Sequence, residues 1–159
     1  MNDAGWLSIE EGDRSPAQLA EICLKAEYRG PFELIFYCYY AYPTDYPEEI
    51  RKIFGRAYFS QFIEPEAMAE FKKTIQETSV EAVVTFNKGI FNRIAENPVE
   101  RYVERLMQGE LIQSQVQGID RHTPVYLTFP TGWRYHRQYR ELRQKSLDTI
   151  RTAICNPPP

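Results

Sequence analysis

A β-favouring run that is apolar but for Glu33, FELIFYCYY from Phe32 to Tyr40, predicts a central strand, because a strand that is apolar on both faces needs cover on both. It ends at Tyr42-Pro43-Thr44-Asp45-Tyr46-Pro47, where two prolines enforce a loop. A second strand is expected over VEAVVTF, Val80 to Phe86. It runs directly into Asn87-Lys88-Gly89 and a helix carrying Ile90, Phe91 and Ile94. Leu111 to Gly118 alternates in part, as a polar strand does, and Pro124 to Phe129 reads as the last strand. Strands separated by helices form βαβ units, which cross over right-handed into parallel pairs. The predicted class is therefore α/β, a three-layer αβα fold around a short, mainly parallel central sheet of about three to four strands.

The helices have their own signals. Ser15 as N-cap, Pro16 at the first helical position and Gln18 as capping-box partner open a helix that Arg29-Gly30-Pro31 closes. A short helix is expected from Pro47 to Phe54, acidic at its start and closed by Gly55, and another from Pro65 with Met68, Phe71 and Ile75 on one face. Pro98 to Met107 predicts one more. The last runs from about Arg134 to Ile154 with Tyr135, Tyr139, Leu142, Leu147, Ile150 and Ile154 as its inner stripe. Pro157, Pro158 and Pro159 can neither continue a helix nor join a sheet, so residues 1–156 are expected to form one domain and 157–159 a disordered tail.

At 159 residues the chain suits a single domain that buries roughly two thirds of its unfolded surface. The net charge of -3 argues against a protein coated in nucleic-acid-binding charge, yet the charge is uneven. From Arg121 to Arg151 seven Lys/Arg stand against Glu141 and Asp148, so that segment is +5 and the remainder -8. Such asymmetry allows a basic face on an acidic body. Cys23, Cys38 and Cys155 are far apart, without a CxxC pair or a histidine at ligand spacing, so neither a disulfide framework nor a metal site is indicated, and no cofactor motif occurs. The N-terminus lacks the basic and apolar regions of a signal peptide, and no apolar run approaches the roughly 20 residues a membrane span needs. The expectation is a cytoplasmic protein with no membrane partner.

Candidate site residues follow from topology. Loops leaving the carboxyl ends of parallel strands gather on one edge of the sheet, and here these are 42–47, 87–89 and 130–135. Asn87 and Lys88 could hold a phosphate through backbone amides and an ammonium, or simply form a tight turn. Asp45 is the acid best placed to orient a water, or else it caps the Pro47 helix. Thr123 to Arg140, TPVYLTFPTGWRYHRQYR, combines a strand, a Pro-Thr-Gly turn and a helix start that mixes Arg134, His136, Arg137 and Arg140 with Trp133, Tyr135 and Tyr139. Cations interleaved with flat rings suit DNA, a nucleobase or a nucleotide. His122 and His136 stand at opposite ends of the last strand, so a paired-histidine site is not expected. No nucleophile-elbow pattern occurs.

With the strands placed, the order resembles the uracil-DNA glycosylase superfamily. SVEAVVTFNKGIFNRI resembles that family's middle strand-to-helix element, and TPVYLTFPTGWRYHR resembles its last, with Phe129-Pro130-Thr131 where the family carries His-Pro-Ser. The resemblance covers roughly Phe32 to Ile154. It implies a domain that extrudes a damaged or deaminated base and hydrolyses its N-glycosidic bond, a DNA N-glycosylase of repair. By position it implies that Pro130, Thr131 and Gly132 form the gripping turn and that Arg134, His136 and Arg137 meet phosphates. Phe129 would replace the histidine that stabilises the departing base, and it has no donor to offer. The family's Gly-rich loop with a water-activating acid has no counterpart ahead of the Phe32 strand. Two other functions fit the residues: a domain for a nucleotide or small phosphorylated ligand using Asn87 and Lys88, and a protein-interaction module with a Tyr-rich surface.

Overall fold

The computed structural model describes residues 37, 39–40, 47–130 and 133–157, with backbone alone at 47 and 133–137. Helix α1 (Pro47–Phe54) places Glu48 and Glu49 at the positive end of its dipole and Arg51 and Lys52 at the negative end. Gly55, at φ 84°, stops it in a conformation that favours glycine, and its N–H bonds the Arg51 carbonyl at 2.8 Å.

Beyond the stop, α2 (Arg56–Tyr58), a π-helical turn (Phe59–Ile63) and α3 (Glu64–Glu77) form one continuous rod. Its buried side chains are Phe59, Ile63, Ala67, Phe71 and Ile75, spaced four residues apart. A regular α-helix drifts about 40° over each such step. The wider π turn at Phe59–Ile63 offsets part of that drift and keeps the row on the core.

Three strands follow with their helices: β1 (Val83–Thr85), α4 (Lys88–Ile94), α5 (Tyr102–Met107), β2 (Ile112–Gln115), β3 (Pro124–Leu127) and α6 (Trp133–Cys155). The sheet order is β1-β3-β2. Strand β3 is central and buried on both faces, with Val125 and Leu127 at 0% exposure and Tyr126 at 3%. Strand β2 is an edge and alternates, Ile112 and Ser114 buried and Gln113 exposed. The core joins Tyr39, Tyr40, Phe59 and Phe71 to Phe91, Ile94, Leu127 and Phe129.

The α/β class stands, and the mainly parallel sheet is corrected. Strand β1 pairs parallel with β3, Val83 opposite Val125 and Thr85 opposite Leu127, whereas β2 pairs antiparallel with it, Ile112 opposite Leu127. The cause is chain length. The link from Gln115 to Pro124 is short and tied by Val116 N–H on the Thr123 carbonyl at 2.9 Å, and a link that short cannot make a parallel crossover. Of the expected strand at 32–40, only Tyr37, Tyr39 and Tyr40 are described, and they lie in none of the three strands. The helix expected from Pro98 begins at Tyr102: Arg101 ahead of it is left-handed at φ 48°, and both backbone groups of Val99 are engaged by the side chain of Asn92. Its Oδ1 accepts from Val99 N–H at 2.8 Å and its Nδ2 donates to the Val99 carbonyl at 3.1 Å.

Candidate functional site

The parallel pair sets the site. Thr85 and Leu127 stand level, and the Thr128 N–H continues the ladder onto the Thr85 carbonyl at 3.1 Å, so β1 and β3 release their chains side by side. The β1 exit is held by Asn87, whose Oδ1 accepts from the Ile90 N–H at 3.1 Å and whose own N–H donates to Thr85 Oγ1 at 3.2 Å. The Lys88 ammonium meets Glu100 at 2.6 Å. The Asn87 side chain thus serves the helix end and the Lys88 charge has a carboxylate across from it.

The β3 exit is held by α6. Thr128 Oγ1 donates to Ser146 Oγ at 2.7 Å, the Phe129 ring stacks on Tyr139 at 5.2 Å and 26°, and Arg143 Nη1 donates to the Pro130 carbonyl at 3.4 Å. Phe129 is 1% exposed, so its ring belongs to the core and offers no face to a ligand. Pro130 lies beside Arg143 and Thr128 beside Ser146, so α6 runs back along β3, and its first turns lead away from this point. Trp133 stands about 9 Å along the axis from Tyr139. Positions 134, 136 and 137 are in those turns, described by backbone alone. Thr131 and Gly132 lie outside the described residues, as does Asp45.

The basic segment is divided by helical geometry. At about 100° per residue, positions 137, 140 and 151 share one flank of α6 and positions 134 and 145 the other, with Glu141 and Asp148 between them. Arg140 is exposed, whereas Arg143, one of the seven cations between Arg121 and Arg151, is 0% exposed. Beside the second flank a groove of about 330 Å³ separates the end of α5 from α6. Leu106, Leu111 and Leu142 give it apolar walls, and Lys145, Ser146 and Thr149 give it a polar side. Because Leu111 precedes Ile112, the partner of Leu127, the groove opens near the strand exits.

A second polar cluster lies away from this edge. Arg93 bonds the Tyr40 hydroxyl and pairs with Glu64, which Arg51 approaches at 4.0 Å. The C-terminal turn of α4 that bears Arg93 is tied to the end of β2 by the Gln117 N–H on the Ile94 carbonyl at 2.8 Å. Tyr40, which precedes the 42–47 loop, therefore sits by the far end of α4 from Asn87. Burial raises its phenol pKa against the opposing pull of Arg93, and burial, reinforced by Tyr40, pushes Tyr39 to about 12. His122, exposed ahead of β3, is likewise distant from the exits.

Two of these residues escaped the sequence. Arg143 had a signal, since the inner stripe through Tyr139 and Leu147 passes at four-residue steps through position 143. Arg93 had none, because its Tyr40 partner is 53 residues away. No family model matches the chain, and neither a curated protein nor a solved structure matches it. Among the described residues no helix is long and apolar enough to cross a membrane, and no group of acidic, histidine or cysteine side chains is arranged to hold a metal ion.

Proposed function

We propose that the chain is a uracil-DNA glycosylase-like domain that binds DNA or an extruded nucleobase at the shared exit edge of β1 and β3, within an αβα layering. The observation that carries this is the parallel β1–β3 pair with Thr128 N–H on the Thr85 carbonyl, which brings two strand-to-helix exits together. Ligands of α/β folds collect at such edges. The exit of β3 leads into a helix with cationic positions on two flanks, which suits a backbone of phosphates more than a single small anion.

Binding is the part of the family's activity that the residues support best. Excision needs a carboxylate to activate water, the role given to Asp45, and a donor for the departing base. Phe129, at the family's histidine position, is buried and has no donor. A small phosphorylated ligand is less well served, since the Asn87 side chain caps α4 and Lys88 is paired with Glu100.

One observation favours a second reading, a protein-interaction module. Phe54, Tyr58 and Phe62 form an exposed aromatic row, with ring separations of 5.8 and 4.9 Å, and Ile53 beside them is 73% exposed. Surface of this kind marks contact with another protein. Partner capture in nuclease-treated extract that is abolished by Tyr58→Glu would support it.

The DNA reading is tested by the double variant Arg134→Ala, Arg137→Ala in fluorescence anisotropy with duplex oligonucleotides over a range of salt. Each neutralised phosphate releases counterion, so affinity should fall and the log–log salt slope should flatten by about 0.9 for every phosphate the variant no longer neutralises. Affinity and slope equal to those of the unaltered protein would refute this DNA face.

A further inference from the structure

We propose that Arg143 is a positioning residue for the β3 exit: from inside the core its guanidinium holds the Pro130 carbonyl and fixes the direction in which the chain leaves the sheet. This rests on the proposed binding edge, which it deepens. Arginine is among the residues least often fully buried, and taking a guanidinium from water is costly unless hydrogen bonds replace the missing hydration. Yet Arg143 is 0% exposed, on a stripe otherwise built of Tyr139, Leu147 and Ile150. A leucine there would continue the apolar stripe without that cost, so packing alone does not account for the residue.

One bond of the guanidinium, Nη1 to the Pro130 carbonyl at 3.4 Å, ties it to the strand exit. Three consecutive residues at the strand exit are each held by a different side chain of α6: Thr128 by Ser146 at 2.7 Å, Phe129 by Tyr139 at 5.2 Å between rings, and Pro130 by Arg143 at 3.4 Å. The holding residues are spaced 139, 143 and 146, one turn apart on one face, so the helix acts on the exit as a rigid rail. A binding surface presented on a preformed exit avoids the ordering cost that a loose one incurs on every encounter. The charge count of the sequence includes Arg143 in the +5 segment; its contribution is to aim the exit rather than to add to a basic face.

The experiment compares the full chain with Arg143→Met, Arg143→Lys and Ser146→Ala, reading amide hydrogen exchange at Thr128, whose N–H bonds the Thr85 carbonyl, alongside duplex binding over a range of salt. Arg143→Met should raise Thr128 exchange and weaken binding by about tenfold, the equivalent of one hydrogen bond to a charged group, while leaving the salt slope unchanged because this guanidinium neutralises no phosphate. Arg143→Lys should restore part of both, and Ser146→Ala should move both in the same direction as Arg143→Met. If Arg143→Met does not fold, Ser146→Ala and Arg143→Lys decide. Thr128 exchange left at the wild-type level in the folded variants would overturn the role, as would a salt slope that falls by about 0.9, which would make Arg143 a phosphate ligand. Should the unaltered chain bind no DNA, the binding edge fails while the exchange measurement still decides what Arg143 does.

Discussion

Replacing Phe129 with alanine is expected to lower the unfolding free energy by about 3–5 kcal/mol, the cost of emptying a large aromatic site in a packed core. Phe129 is 1% exposed and its ring faces Tyr139 at 5.2 Å, so the substitution removes both its hydrophobic burial and its ring partner. The size of the effect matters because it separates two roles. A solvent-facing ring poised for a base would contribute well under about 1 kcal/mol to stability and would show its effect in binding. Urea unfolding followed by circular dichroism reads the difference directly. A midpoint within error of the unaltered protein would contradict the inward placement.

Raising the pH is expected to destabilise the fold through Tyr39. Burial, with Tyr40 adding to it, lifts the Tyr39 phenol from 10.0 to about 12. The folded pKa is therefore above the unfolded one, and the sign follows. The stabilisation is complete below about pH 10, where both states keep the proton, and is lost as pH climbs towards about 12, where the unfolded chain ionises and the folded one resists. The loss attributable to this group should be on the order of 2 kcal/mol. Tyr39→Phe removes the titrating group and sacrifices only a weak contact of the hydroxyl with Met68 Sδ at 3.9 Å. The unaltered protein and the variant should thus diverge in pH dependence above about pH 10. Parallel stability curves up to about pH 12 would contradict it.

What the sequence yielded and what it withheld divide by range. Strand β1, the polar alternation of β2, the glycine that ends α1 and the long last helix were legible because each is written in adjacent residues. The direction of β2 was not, since it depends on a short link to β3 that makes a hairpin in a sheet expected to be mainly parallel. The late start of α5 was hidden as well, since the Asn92 side chain that engages Val99 is seven residues away. At the candidate site the exits at Asn87 and Pro130 were found from strand ends alone. Their surroundings were not: the pairing of Lys88 with Glu100 and the burial of Phe129 are set by packing between elements, and the inward turn of Arg143 was marked only by the helical stripe it interrupts. The basic segment illustrates the limit, since a charge count of +5 says nothing of which cations the helix turns to the core.

The most direct measurement is retention of the purified chain on uracil-containing and matched undamaged oligonucleotides, single- and double-stranded, at two salt concentrations, with abasic sites scored in the same samples. Retention that weakens steeply at the higher salt is the predicted result, because phosphate contacts at the exit of β3, as proposed, would release counterions on binding. No retention of any oligonucleotide at the lower salt, and no abasic sites, would contradict the assignment of that edge to DNA.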